Sequence, residues 1–145
     1  LNIFIKSPLI ESRLKGWFTY YWGFDGLLRW AYAIWTSDPL KDIRYKYPKW
    51  NAGDMLLVYP GKDLKPMSSV REKNLLYGIQ DFHIFKELEE NGISNDRLVE
   101  EMALLLGKKE KMEFILDRNV KLNHSLKSSD YIKFRNDLIE NILAK

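Results

Sequence analysis

Cysteine is absent from the 145 residues. Disulfides, thiolate metal centres and thiol nucleophiles are thereby excluded, and the redox compartment stays open. Histidine is scarce, with two in the whole chain. His83 has no His or Cys partner at ligand spacing, so it reads as structural. No cofactor and no metal is expected. No apolar run reaches the ~18 residues that a membrane-spanning helix needs, so no membrane span is expected. No run of five like charges occurs either. Lys and Arg outnumber Asp and Glu by 23 to 20, but the signs are interspersed, which argues against a nucleic-acid partner.

What is present is apolar and aromatic. Hydrophobic residues make up 46% and aromatics 14% of the chain, which argues for a packed domain and against disorder. The stretch Gly26 to Trp35, GLLRWAYAIW, lacks Pro and follows a turn signal at Asp25-Gly26. It reads as a β-strand buried on both faces, with Leu28, Trp30, Tyr32 and Ile34 on one side and Leu27, Arg29, Ala31, Ala33 and Trp35 on the other. Thr36-Ser37-Asp38-Pro39 stops it and opens a polar loop. Such a strand end is where an α/β enzyme usually holds its ligand.

Around it the chain alternates between elements and stops. Leu1 to Lys6 is a short extended entry, and Ser7-Pro8 reads as an N-cap followed by Pro at the first helical position. Ile10, Leu14, Trp17 and Tyr21, widened by Leu9, Phe18 and Trp22, give an amphipathic helix with one wide buried face, ended by Gly23. Glu11 and Lys15 lie off that stripe and read as solvated; Arg13 either pairs with a loop carboxylate or reaches into a site. Thr36 to Asp54 is a long loop carrying Tyr45, Tyr47 and Trp50, which either stack on sugar rings or pack as a lid. Met55 to Tyr59 is a short strand ended by Pro60-Gly61.

Ser69 opens a capping box for a helix to about Glu90, with Leu75, Ile79, Phe82 and Leu88 facing inward. Gly78 inside it costs ~1 kcal/mol relative to Ala and signals close packing against a neighbour. Beyond Gly92 the expectation is a small helical tail. Its helices run Asn95 to Leu106, capped by Ser94 and ended by Gly107, then about Lys109 to Arg118, then Asp130 to Ala144. The last is capped by Ser128 or Ser129 and buries Ile132, Leu138, Ile139 and Ile142. Glu89-Glu90 and Glu100-Glu101 point about 100° apart on a helix, so both pairs read as solvated. The chain opens on Leu and not Met, which fits a piece of something longer.

Three segments in order resemble the C-terminal end of the catalytic domain of glycoside hydrolase family 123. They are SPLIESRLKGWFTYYWGFDGLLRWAYAIWTSDPLKD, GDMLLVYPG and PMSSVREKNLLYGIQDF. The match is carried by Arg13 and Trp17, by Gly26, Leu28, Trp30, Tyr32 and Trp35, and by Asp38-Pro39. It continues through Gly53-Asp54, Val58 to Gly61, Ser69, Arg71, Gly78-Ile79 and Asp81. The chain departs from the family at Ala33, where a polar residue is usual, and at Lys73 and Leu76, where Glu and Arg are usual.

The resemblance implies a chain that is α/β by origin and helix-rich, a C-terminal fragment of a (β/α)8 barrel plus the helical tail. Residues 1–92 would be the barrel end and 93–145 the tail. A full barrel takes ~250 residues, so the remaining partners of Gly26–Trp35 would be the missing N-terminal part of the same protein, or a second copy. Either way the aromatic helix and strand should expose much apolar surface. The implied activity is removal of β-linked N-acetylgalactosamine by substrate-assisted catalysis, an exception to the two-carboxylate nucleophile scheme. The adjacent Asp-Glu pair which that chemistry uses does not occur in these residues, so no catalytic residue is assigned.

The implied partner is a carbohydrate, an amino-sugar glycan. Trp30, Tyr32 and Trp35 either form the floor and wall of its pocket or sit in the barrel core. Asp38 either meets sugar hydroxyls or caps the loop, and Tyr59 closes the pocket. The alternative function is a non-catalytic carbohydrate-binding or helical interaction module.

Overall fold

In the computed structural model, residues 1–42, 50–107 and 123–143 are described. Among them are four α-helices, α1 Ile10–Tyr21, α2 Val70–Glu90, α3 Asn95–Leu106 and α4 Ser128–Leu143. A two-stranded antiparallel hairpin joins β1 Val58–Pro60 to β2 Pro66–Ser68, with Val58 opposite Ser68. The protein is helix-rich, as expected. Tyr45, Tyr47 and the helix expected over 109–118 lie outside the described residues.

Helix α1 is the centre of the packing. Nine of its residues are buried, among them Ser12, Arg13 and Thr19 as well as the apolar stripe. A helix buried around most of its circumference is an interior element, so burial is not confined to the single wide face expected from its apolar spacing. Its N-cap is Leu9 and not Ser7, and no side chain caps it. Its end follows the expectation. Gly23 takes a left-handed φ of +62°, while Gly23 N donates to Tyr20 O and Phe24 N to Thr19 O, a Schellman closure. Glu11 and Lys15 are half-buried and not solvated: Glu11 accepts from Asn2 N at 2.7 Å and Lys15 donates to Leu1 O at 2.6 Å. Burial, with Arg29 nearby, holds the Lys15 ammonium below its usual value despite Glu11.

Helix α2 crosses α1 with backbones in contact at Gly16 and Gly78. A Cβ on Gly16 would fall on the Gly78 carbonyl, and one on Gly78 would fall on the Arg13 carbonyl. Ser69 caps α2 as expected, its Oγ accepting from Glu72 N at 3.1 Å. The inward face differs from the expected one. Arg71, Gly78, Asp81, Phe85 and Leu88 are buried, Leu75 and Phe82 are half-buried, and Ile79 is exposed. Polar residues occupy the inner face here because each has a buried partner, so counting apolar positions alone sets the helix in the wrong rotation.

Trp17 sits at the middle of the core. Its ring meets Phe85 edge-on at 4.8 Å and Tyr131 edge-on at 4.9 Å, with Phe134 tilted at 5.5 Å. Its Nε1 donates to Asp81 Oδ2 at 2.7 Å. The same carboxylate accepts from Arg13 Nε at 2.5 Å and Nη2 at 2.9 Å, and from Arg135 Nη1 at 3.3 Å. Arg13 therefore pairs with a helical carboxylate, not a loop carboxylate near the rim.

Residues from α3 and α4, including Leu98, Met102, Leu106, Tyr131 and Leu138, belong to the same core cluster as α1. Ser94 and Gly107 bound α3 as expected. Ser128 and Ser129 lie inside α4, and Tyr131 replaces the exposed Ile132 on its buried side. Glu89 is also not solvated. It accepts from Tyr20 Oη at 2.6 Å, Asn95 Nδ2 at 2.6 Å and Lys86 Nζ at 3.0 Å. Burial opposes its charge, yet these bonds hold its carboxyl below the usual range.

Candidate functional site

Gly26–Trp35 is not a regular strand and is not buried on both faces. One antiparallel bridge joins Ala33 to Leu56, flanked by Ile34 N to Met55 O at 3.0 Å and Leu57 N to Tyr32 O at 2.8 Å. Elsewhere the segment runs without a ladder, and Leu28 is 93% exposed. Apolar composition suits a strand but does not supply its pairing partners. The expected exposed apolar surface is found on this segment. It is not found on α1, whose Trp17 and Phe18 are buried.

Arg71 fixes the frame beneath the segment. Buried on α2, it donates to Ile3 O at 2.7 Å, Gly53 O at 2.8 Å and Leu56 O at 2.8 Å. It thus ties the amino-terminal stretch, the 51–54 turn and the bridge together. Gly53 is needed at φ +80°, where a Cβ would meet the Arg71 guanidinium at 2.8 Å. Arg29 donates to the Asp54 backbone carbonyl and lies 3.4 Å from its carboxylate.

The expected site residues separate into four places. Trp30 stacks on Trp50 with centroids 4.6 Å apart and planes 30° apart, and Trp30 stays 49% exposed. Tyr32 turns toward α2, where its hydroxyl donates to Glu72 Oε1 at 2.8 Å. Ser68 Oγ donates to the other oxygen of that carboxylate. The Ser68 bond, against the effect of burial and aided by Tyr32 and Lys73, holds the Glu72 carboxyl below its usual range. Burial and the Glu72 bond push the Tyr32 hydroxyl up.

Trp35 Nε1 donates to Val58 O at 2.7 Å, which sets the indole beside β1 and next in sequence to half-buried Tyr59. Asp38 faces its own loop. Its carboxylate pairs with Lys41 at 3.1 Å, and its carbonyl accepts from Lys41 N and Asp42 N. Loop capping is what these contacts accomplish.

Three contributors were not assigned roles from the sequence, Glu72, Arg71 and Asp81, and Trp50 reads there as a sugar-stacking or lid residue without Trp30 as its partner. The signal for Arg71 and Asp81 was present. They flank Gly78 at spacings of seven and three, one face of a helix. Among the described residues, no group of three or more His, Asp or Glu is placed to hold a metal ion, and no helix is long and apolar enough to cross a membrane.

Residues 1–88 match the glycoside hydrolase 123 catalytic domain. The chain belongs to that family, and the matched residues are consistent with part of its catalytic domain. No curated protein matches the chain.

Proposed function

We propose that the chain forms the C-terminal segment of a glycoside hydrolase that removes β-linked N-acetylgalactosamine by substrate-assisted catalysis. Residues 1–92 are the end of a (β/α)8 glycosidase-like barrel and 93–145 a helical tail, whose α4 packs on Trp17 and Asp81. The Asp-Glu pair for the chemistry lies outside these residues, so the chain contributes sugar contacts and no acid or base. The observation that carries this is the Trp30–Trp50 stack, in which Trp30 stays half-exposed. An indole face matches the C–H face of a pyranose, and Trp and Tyr offer large contact area at little entropic cost. Tyr32 joins through Glu72, whose carboxylate accepts sugar hydroxyls as it accepts Ser68 Oγ. Asp38 orders the loop at the site's edge.

The same stack favours the second reading, a carbohydrate-binding module without hydrolysis. The exposed apolar surface around Leu28 then takes the remaining barrel, or a second copy of the chain. Titrating N-acetylgalactosamine against tryptophan fluorescence is expected to give a saturable change that Trp30→Ala weakens about tenfold. The chain alone should not cleave an aryl N-acetyl-β-galactosaminide. No saturable change would remove both sugar readings, and turnover by the chain alone would refute the placement of the catalytic pair.

A further inference from the structure

A second concavity lies where residues 25–32 cross over α1 and α2, and it holds about 340 Å³. That falls within the ~300–1,000 Å³ of typical small-molecule sites. Leu27, Leu75, Ile79 and Phe82 give it an apolar wall, and Arg29 and Tyr32 bring polar groups to it. Asp25 and His83 are the other ionisable residues that line it.

Arg29 is the unusual member. Its Nη2 is spent on Asp54, while its Nε is buried and has no hydrogen-bond partner among the described residues. A buried donor left unpaired costs about 1–3 kcal/mol, so an acceptor arriving there is favoured. The local charge points the same way. Burial holds the Arg29 guanidinium below its usual value, Arg71 and Lys15 add like charge, and Asp54 is the carboxylate that offsets it. Glu11 acts on Lys15 and is already engaged by Asn2.

We propose that this cleft binds a small monocarboxylic acid with an apolar body. Its carboxylate accepts from the Arg29 guanidinium, and its body lies against Leu27, Leu75, Ile79 and Phe82. The site faces the helices and shares only Tyr32 with the sugar reading.

Calorimetric titration of the 145-residue chain with 4-phenylbutyrate and with 4-phenylbutan-1-ol tests it, since the two share a body and differ in charge. The acid should bind saturably and the alcohol about tenfold more weakly. Arg29→Met should bind the two alike. Ile79→Trp starts from an exposed position, leaves Arg29 in place and fills the wall, and it should weaken the acid about tenfold. Equal binding of acid and alcohol by the unaltered chain, or no saturation by about 10 mM acid, overturns the proposal.

Discussion

Asp81→Ala is expected to cost about 3–5 kcal/mol, or to abolish folding outright. Asp81 is 0% exposed and accepts from Arg13, Arg135 and the Trp17 indole. Without it, the Arg13 guanidinium remains buried with its bidentate partner gone, and the Trp17 N–H loses its acceptor. The penalty comes from the uncompensated charge more than from the lost bonds. Arg13→Met combined with Asp81→Leu should therefore recover part of the loss, because both charges leave the interior together. Urea unfolding of Arg13→Met, Asp81→Leu and the double variant measures the coupling. Additive losses, or a fall in stability below about 1 kcal/mol for Asp81→Ala, would show that this cluster does not organise the core.

Gly16→Ala and Gly78→Ala should each destabilise by about 1–3 kcal/mol. In an open helix the same change gains ~1 kcal/mol, so the sign decides between close crossing and simple helix propensity. The reason is backbone contact. The new Cβ at position 16 falls on the Gly78 carbonyl and that at position 78 on the Arg13 carbonyl, neither of which can rotate away as a flexible side chain would. The helices must separate, which also disturbs the Arg13–Asp81 pair spanning them. Thermal unfolding that shows either alanine variant to be more stable would refute the crossing.

Local signals were the legible ones. Ser69, Ser94, Gly23 and Gly107 act within a few residues of themselves, and the structure uses each as its position suggests. Gly78 was also legible, because a glycine inside a helix needs a reason. Long-range partners were not. Arg13 finds Asp81 at 68 residues' separation, and no spacing rule reaches that far. The same limit explains Gly26–Trp35. Leu, Ile and aromatics fit a sheet surface, but whether a ladder forms depends on distant segments, and here one bridge to Leu56 is made. The family could be read because it rests on the order of many residues, whereas the direction of Tyr32 toward Glu72 depends on how α2 is rotated.

The central claim is that the open indole pair receives an amino sugar. Nitrogen-15 NMR of the five tryptophan indoles during titration with N-acetylgalactosamine tests it most directly. Trp30, Trp50 and Trp35 should shift together and saturate, while Trp17, fully buried with its Nε1 bonded to Asp81, stays in place. Unchanged indoles at a saturating sugar concentration, or shifts confined to Trp17 and Trp22, would contradict the account.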